Sequence, residues 1–435
     1  MSANNTSKAS ESGKAQQQQP EEYEEGEAFI NPEEVADVIA DDDTAEPDWM
    51  EEDSDHDDGG SSSKQEEGED QDNGEEQEEG NAAAGEGEEV LLEDDSVQGF
   101  FGHASNSSVF SVDISPADGG LVVSGGEDDT AYVWRADSGA VVAKLDKHTD
   151  SVAAVRFSHD GALVAAAGMD GKINVYEPAN EYRRCAALDG PDEAQWLAWH
   201  PRGSVLLAGG GSDGSMWMWS LPGGGFMNVF NGHSAAVTCA QFTHSGRSIV
   251  SGAEDGSLLV WDPKTAAVVR RFSPDDERFH QDGITALALA ADDQVVLTGS
   301  MDGSAKLVHI GNGTILGSLD NATESVEAVG LCSVLPLAAT GSVDGSLSIW
   351  DISAMRLRTT LKHDDSVTRL AWHADSPLLT SVSMDCSVRT WDARTGECVR
   401  VWRGHQEGIM DFAMTPDGST IVTASDDGCC LVFAR

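Results

Sequence analysis

The chain has 435 residues, enough for one large domain or several small ones, and it carries 77 acidic against 26 basic side chains. The first 95 residues hold 35 acidic and 3 basic side chains, and the remaining 340 hold 42 and 23. Because both parts are acidic, direct binding to nucleic acid or to an anionic membrane is excluded, and a basic protein segment is favoured.

Targeting signals and cysteine usage indicate the compartment. No charged start followed by an apolar core is visible, and no run of about 18 apolar residues could insert into a membrane. The seven cysteines are odd in number and scattered, which is typical of reduced thiols rather than of a disulfide framework. We therefore expect the protein in the cytoplasm, with the nucleus as a second location.

Residues 1–95 are predicted to form a disordered acidic tail, because they hold too few large apolar groups to offset the entropy of ordering. A short helical motif is indicated near residues 31–40. There Asn31 can cap a helix and Pro32 suits its first turn, while Val35 and Ile39 share one face. The motif is either a transient helical turn or a segment that folds on a partner.

From residue 96 onwards, one unit recurs eight times: small residues, an aspartate, usually a glycine, and an alternating strand that ends in an aromatic residue. The aspartates are 41 to 47 residues apart. They are Asp128, Asp170, Asp213, Asp255, Asp302, Asp344, Asp385 and Asp427. This period is typical of WD repeats, so the sequence predicts an all-β, eight-bladed WD-repeat β-propeller over 96–435.

A histidine before the aspartate, a hydroxyl four residues before it and an aromatic residue six after it complete the repeat. In WD repeats these four side chains form a buried hydrogen-bonded set within each blade. The pattern carries the full set in three blades: His103, Ser124, Asp128 and Trp134; His233, Ser251, Asp255 and Trp261; and His363, Ser381, Asp385 and Trp391. Blades three and six lack the histidine, and Val308 replaces the tryptophan in blade five, so we expect these three blades to be the least stable parts of the ring.

The sequence ends directly after the third predicted strand of blade eight, which leaves that blade without an outer strand. Residues 96–101, just before Gly102 and His103, have the pattern of such a strand. We therefore expect 96–101 to complete blade eight and to close the ring, which removes an exposed sheet edge.

No catalytic, metal-binding or cofactor-binding pattern stands out from the repeats. Serine, histidine and aspartate recur in every unit and are therefore interpreted as structural. Cys429 and Cys430 are adjacent in a strand, so they point to opposite faces and cannot chelate a metal together. The sequence accordingly predicts a non-catalytic, monomeric binding platform with no metal and no cofactor.

One face of a WD propeller is lined by three positions in each blade: three and five residues after the histidine, and the residue before the aspartate. Here these 24 positions include five acidic residues and no Lys or Arg. The predicted partner-binding face consists of Phe110, Glu127, Met169, Glu193, Gln195, Glu254, Met301, Glu327, Met384, Met410 and Asp426. Carboxylates interleaved with apolar side chains suit a peptide with basic and apolar anchors, and the alternative is an acidic face that is merely solvated.

Several segments go beyond generic WD features, among them GGEDDTAYVWR (125–135), AWHPRGSVLLAGGGSDGSMWMW (198–219) and CSVLPLAATGSVDGSLSIWD (332–351). With the acidic tail, they resemble the angio-associated migratory cell protein family over the whole propeller. A fungal relative of that family is a chaperone that grips the basic N-terminus of a new large-subunit ribosomal protein with an acidic propeller face. The resemblance thus implies an escort for a basic ribosomal protein.

Two other functions are kept as alternatives. The run Trp391-Asp392-Ala393-Arg394 matches the WDxR motif of substrate receptors of cullin-RING ubiquitin ligases, although Thr390 departs from that motif. A histone-binding or signalling scaffold is also compatible with the acidic charge.

Overall fold

A computed structural model describes residues 93–104 and 107–435. The predicted tail up to residue 92, with its helical motif near 31–40, lies outside the described residues. Within them, the strands form eight antiparallel sheets of four strands each, which confirms the eight-bladed propeller. The innermost strands of successive blades contact one another around a central channel.

Seven blades follow chain order from the innermost to the outermost strand, and blade eight takes its outer strand from the start of the propeller. Blades one to four consist of β2 (Val109–Ile114), β3 (Leu121–Gly126), β4 (Ala131–Arg135) and β5 (Val141–Leu145); β6 (Val152–Phe157), β7 (Val164–Gly168), β8 (Lys172–Glu177) and β9 (Arg183–Asp189); β10 (Trp196–Trp199), β11 (Val205–Gly209), β12 (Ser215–Ser220) and β13 (Gly225–Asn231); β14 (Val237–Phe242), β15 (Ile249–Ala253), β16 (Leu258–Asp262) and β17 (Ala267–Phe272).

The second half of the ring repeats this layout. Blades five to eight consist of β18 (Ile284–Leu289), β19 (Val295–Ser300), β20 (Ser304–His309) and β21 (Thr314–Asp320); β22 (Val326–Leu331), β23 (Leu337–Ser342), β24 (Ser346–Asp351) and β25 (Arg356–Lys362); β26 (Val367–Trp372), β27 (Leu378–Ser383), β28 (Val388–Asp392) and β29 (Glu397–Trp402); β30 (Ile409–Met414), β31 (Thr420–Ser425), β32 (Cys430–Ala434) and β1 (Gln98–Phe100). One three-residue 3₁₀ helix, Pro178–Asn180, follows β8.

Burial follows the position of each strand in its sheet. The second and third strands are almost wholly buried, as in β7 and β24, because both faces of each sheet pack against neighbouring blades. The outermost strands are exposed along most of their length, as in β17 and β29. The core is therefore a ring of apolar layers between the blades rather than one central cluster.

Strand β1 closes the ring, because Gln98 and Phe100 pair with Val432 and Cys430 of β32. Phe100 is 2% exposed and stacks on Trp134 of blade one, with ring centroids 4.9 Å apart. The last residue or last but one of every other outer strand is likewise buried and apolar. These residues are Leu145, Leu188, Phe230, Phe272, Leu319, Leu361 and Trp402.

Among the described residues, Glu93 and Asp95 already contact the propeller, slightly before the predicted boundary at residue 96. The N–H of Asp95 donates to the carbonyl of Arg403 (2.8 Å), and the Asp95 carboxylate accepts from the N–H of Arg403 (2.9 Å). The Arg403 guanidinium also lies 3.6 Å from the carboxylate of Glu93. The chain thus joins the propeller beside the loop that enters blade eight.

The hairpin connections define two faces. Turns between second and third strands, and the loops that join blades, lie at one end of the ring, which we call the upper face (127–130 and 402–408, for example). Turns between first and second strands, and between third and fourth strands, lie at the other end. We call that end the lower face (115–120 and 136–140, for example).

Candidate functional site

A chain of hydrogen bonds runs through the interior of blade seven. The indole N–H of Trp391 donates to Ser381 Oγ (2.9 Å), which lies 2.8 Å from Nε2 of His363. Nδ1 of His363 donates to the carboxylate of Asp385 (3.0 Å), because a carboxylate can only accept. In a neutral imidazole, Nε2 then accepts from the serine hydroxyl, so every polar group of the set has a partner.

Blade one has the same chain of bonds. His103 lies 3.0 Å from the Asp128 carboxylate and 2.9 Å from Ser124 Oγ, which accepts from Trp134 Nε1 at 3.2 Å. The set therefore joins the loop that enters the blade to its second and third strands and to the turn between them.

Blade four adds a second hydroxyl to the set. His233 contacts Ser251 Oγ (2.6 Å) and Ser257 Oγ (2.8 Å), while the Asp255 carboxylate is 3.5 Å from Nδ1. Trp261 Nε1 donates to Ser251 Oγ (2.8 Å), and Ser257 Oγ donates to Asp255 (2.6 Å).

Blade two fills the set with an amide that the repeat pattern missed. Asn174 Nδ2 lies 3.0 Å from Nε2 of His148, and Arg184 donates to Asn174 Oδ1 (2.9 Å). Asn174 is buried and stands on the third strand of the blade, whereas the repeat pattern places a hydroxyl residue on the second strand. An asparagine at an inward-facing position of β8 is the signal in the sequence that could have indicated this replacement.

The repeat aspartates are bound on both oxygens. Asp385 accepts from the backbone N–H and the hydroxyl of Ser387 (2.9 and 2.6 Å) and from the N–H of Asp364 (3.0 Å). Burial alone would raise the pKa of Asp385, but the hydrogen bonds from His363, Ser387 and the Asp364 N–H outweigh it and hold the pKa well below its ordinary value. These carboxylates are therefore part of the fold rather than free to bind a partner.

A backbone hydrogen bond repeated in seven blades locates the predicted face. The residue before the repeat aspartate donates its N–H to a carbonyl of the loop that enters the blade, at 2.9 to 3.0 Å. The pairs are Glu127 with Ser108, Met169 with Ser151, Glu254 with Ala236, Met301 with Gly283, Val343 with Ser325, Met384 with Ser366 and Asp426 with Gly408. Because the bond is the same, these residues occupy equivalent places on the upper face.

A β-bulge marks the second face position. In seven blades, the register between the first two strands shifts around the second residue of the first strand. These residues are Phe110, Ala153, Thr238, Thr285, Glu327, Thr368 and Met410. A bulge re-aims a side chain, so this irregularity distinguishes them from the pleated residues that follow. In blade three the described pairing of β10 with β11 has no shift.

Three of the bulged residues form hydrogen bonds to the neighbouring blade. The hydroxyls of Thr238, Thr285 and Thr368 donate to the first carbonyl of the next blade's inner strand, the last to Ile409 at 2.7 Å. In blade three, Trp196 Nε1 makes the equivalent bond to Val237 (2.6 Å). These polar groups are used by the ring itself.

The predicted face residues differ in exposure. Glu127, Glu193, Gln195, Glu254, Met169 and Met301 are exposed, whereas Phe110, Glu327, Met384, Met410 and Asp426 are partly buried. Some of the carboxylates hold their own loops: Glu127 accepts from the Ser108 N–H (3.2 Å), and Glu327 from the Ser325 hydroxyl (2.6 Å). Between blades eight and one, a cleft of about 510 Å³ is lined by Ser108, Gln406, Glu407, Asp426 and Asp427.

A cluster of charges that the sequence reading missed lies on the innermost strands. Arg156 donates to Ser111 Oγ (3.0 Å) and lies 3.6 Å from Asp411, which is also 3.7 Å from Arg369. Asp113 accepts from a backbone N–H of blade two (2.8 Å), and burial raises its pKa to about 6 although Arg156 opposes the shift. The cluster ties together the four consecutive blades seven, eight, one and two along the wall of the channel.

The WDxR match lies on the lower face, away from the acidic positions. Arg394 forms a fork with Asp392, at 3.1 and 2.7 Å, and the hydrogen bonds from Arg394 lower the pKa of that carboxylate. The guanidinium is therefore used within its own turn.

No group of three or more His, Cys, Asp or Glu side chains among residues 93–104 and 107–435 could hold a metal ion. The same residues contain no helix long and apolar enough to cross a bilayer.

Comparison with known proteins agrees with this geometry. The WD domain, G-beta repeat profile matches residues 95–135 and 139–177, and the profile of the nucleolar protein 10-like N-terminal domain matches residues 186–433. The human angio-associated migratory cell protein (Homo sapiens) is 37% identical over 355 residues, which cover 78% of this chain and 80% of that protein. The ribosome assembly protein SQT1 of Saccharomyces cerevisiae is 26% identical over 386 residues, 80% of this chain and 88% of that protein.

A solved structure covers the same region. It is Chaetomium thermophilum Sqt1 bound to the N-terminus of ribosomal protein L10, with a TM-score of 0.74 and 28% identity over 79% of this chain and 100% of that chain. The fold and the blade sets define the class as a WD-repeat β-propeller. The chain belongs to the family of the angio-associated migratory cell protein, and residues 186–433 belong to the nucleolar protein 10-like N-terminal domain family.

Proposed function

We propose that this propeller is an escort that holds the basic N-terminal segment of a newly made ribosomal protein of the L10 type until ribosome assembly. The observation that carries the proposal is the composition of the upper face. Five carboxylates from five blades, Glu127, Glu193, Glu254, Glu327 and Asp426, share that face, and its 24 repeat positions contain no Lys or Arg. The similarity to Sqt1, a relative captured with the L10 N-terminus, supports the same partner.

The chemistry of the proposed binding is charge-assisted. Exposed carboxylates such as Glu193 and Glu254 attract a basic chain over several ångströms, which speeds encounter. Arg–carboxylate pairs then form at partly buried positions such as Asp426, where fork-like hydrogen bonds are stronger than in water. The acidic tail adds negative charge to the same molecule and disfavours nucleic acid as a competitor.

The proposal includes a non-catalytic role and a cytoplasmic location, where ribosomal proteins are made. The serine, histidine and aspartate groups that could perform acyl transfer are bound to one another within the blades, as in the Ser381–His363–Asp385 set. Such a set supports the fold in every blade in which it occurs, and this repetition argues against a single catalytic triad.

A pulse-labelling experiment tests the proposal. The tagged full-length protein is captured from cells a few minutes after a pulse of labelled amino acids. We expect labelled L10 to be enriched at least tenfold over other basic ribosomal proteins, and to leave during the chase as ribosomes assemble. Equal recovery of all ribosomal proteins, or capture dominated by histones or by a ubiquitin-ligase adaptor, would contradict it.

A further inference from the structure

Three consecutive blades place apolar side chains at the same point of the upper face. The residues before the repeat aspartates of blades five, six and seven are Met301, Val343 and Met384. Each donates its backbone N–H to the loop that enters its own blade, at 2.9, 3.0 and 2.9 Å, so the three occupy equivalent positions in adjacent blades. Met301 is 46% and Val343 is 37% exposed. We call these three residues the apolar arc.

Two glycines make room for the methionines of the arc. A Cβ at Gly408 would lie 2.3 Å from Cε of Met384, so only glycine there lets the thioether lie across the junction with blade eight. A Cβ at Gly283 would lie 3.3 Å from Sδ of Met301. Methionine side chains in such positions form an adaptable apolar surface, because they are unbranched and polarizable.

Carboxylates stand at both ends of the arc. Glu254 occupies the equivalent position in blade four, and Asp426 and Glu127 occupy it in blades eight and one. The order around this part of the ring is thus acidic, apolar over three blades, and acidic again. Met169 in blade two has the same position and similar exposure (37%), but it stands alone beyond Glu127.

We propose that the apolar arc binds an apolar stretch of the partner segment, flanked on each side by basic side chains that pair with Glu254 and with Asp426 and Glu127. This inference rests on the proposed basic partner and adds the order of its residues. Because the arc is apolar and carboxylates stand at both of its ends, the complementary segment is apolar in the middle and basic on both sides. A purely basic chain would place charged side chains against the apolar arc, where they would lose their hydration.

Two synthetic peptides of equal charge test the inference. One carries two arginines, a central Leu-Met-Tyr-Leu and two arginines, and its twin has Ser-Asn-Ser-Gly at the centre. Fluorescence anisotropy with the full-length protein should give the apolar-centred peptide about tenfold higher affinity, because the arc removes its apolar side chains from water. Met301→Gln with Met384→Gln should reduce that preference below about threefold, since glutamine does not offer the same apolar surface.

Leu316→Gln with Val399→Gln is the matched control, because it replaces two exposed apolar side chains (46% and 56%) on the outermost strands β21 and β29 of blades five and seven, away from the upper face. It should keep the tenfold preference, and thermal melting should be unchanged in all variants. Equal affinity of the wild-type protein for both peptides would overturn the inference, and so would a methionine double variant that keeps the full preference. Neither result depends on L10: failure of L10 capture with the peptide preference intact would sink only the proposed function.

Discussion

At the scale of single residues, the hydrogen-bonded sets decide which polar groups belong to the fold. Asp385 receives hydrogen bonds from a ring nitrogen, two backbone N–H groups and a hydroxyl, and Arg389 adds a fifth donor at 2.8 Å. Its neighbour Met384, by contrast, is on the upper face. One step along the chain separates a structural residue from a surface residue, because the turn places one side chain inward and the other outward.

We predict that Asp385→Ala destabilises the propeller rather than weakening partner binding. Removal of the carboxylate leaves the buried His363 ring and the turn at Ser387 without their acceptor, a loss of roughly 1–3 kcal/mol. Chemical denaturation should show the loss, and Asp426→Ala on the upper face should show almost none. A wild-type denaturation midpoint for Asp385→Ala would contradict this assignment.

We predict that the contribution of Asp113 to stability depends on pH in the opposite sense to that of Asp385. Its pKa is raised to about 6 in the fold, against 3.8 for an ordinary aspartate, so between these values the folded state binds more protons than the unfolded state. The contribution of Asp113 to stability therefore increases as the pH falls from about 7 to 4. Asp385, whose pKa is lowered, loses its contribution only as the pH falls through 3.8 and below.

The test compares the wild-type protein with Asp113→Asn by denaturation at several pH values. Their difference in unfolding free energy should favour the variant most at pH 7 and shrink towards pH 4. The difference isolates Asp113 from the many other acidic groups. A difference that does not change with pH would show that Asp113 titrates normally.

At the scale of elements, the closing strand β1 joins the two ends of the propeller. Phe100 lies between blade eight, where it pairs with Cys430, and Trp134 of blade one. In the other seven blades, the outermost strand follows the third strand along the chain, whereas the junction of β1 with β32 pairs opposite ends of the propeller and is held by three paired residues, by the stack of Phe100 on Trp134 and by the hydrogen bonds of Asp95. It is therefore the junction most easily opened by truncation.

We predict that a chain starting at residue 93 folds as a closed propeller, whereas a chain starting at residue 102 does not. The shorter chain loses β1 and exposes the edge of β32, and it also leaves a cavity beside Trp134. Phe100→Ala in the full-length protein should cost about 3–5 kcal/mol for the cavity alone. Thermal melting of the two truncated chains and of the Phe100→Ala variant checks these expectations. Identical melting temperatures for the two truncated chains would contradict closure of the ring by β1.

Sequence reasoning reached the eight-bladed fold because the histidine, hydroxyl, aspartate and aromatic marks recur at a fixed spacing, and each mark is a packed or hydrogen-bonded position. It missed Asn174, because an amide on the third strand replaces a hydroxyl on the second. It also missed the ion cluster of Asp113, Arg156, Asp411 and Arg369, since those residues belong to no repeat mark and meet only when the ring closes. The partner-binding face and the lower stability expected of blades three, five and six stay predictions.

At the scale of the whole molecule, the two faces of the ring differ in charge. The upper face carries the acidic positions of five blades, whereas arginines such as Arg202, Arg247 and Arg394 stand in turns of the lower face. The contacts of Glu93 and Asp95, at the start of the described residues, lie beside the loop that enters blade eight on the upper side. A basic chain that approaches the propeller is therefore attracted to one end of the ring.

The most direct measurement titrates the N-terminal peptide of the organism's own L10 against the full-length protein at rising salt. Affinity should fall steeply with added salt, because the attraction is largely between exposed charges. The triple variant Glu127→Lys, Glu254→Lys, Asp426→Lys should lose binding at least a hundredfold with a nearly unchanged melting temperature. The control Asp137→Lys, Asp375→Lys, Glu397→Lys makes the same change in charge at exposed lower-face positions and should bind within about threefold of the wild type. A salt-insensitive complex, or an upper-face variant that binds no worse than this control, would contradict the account.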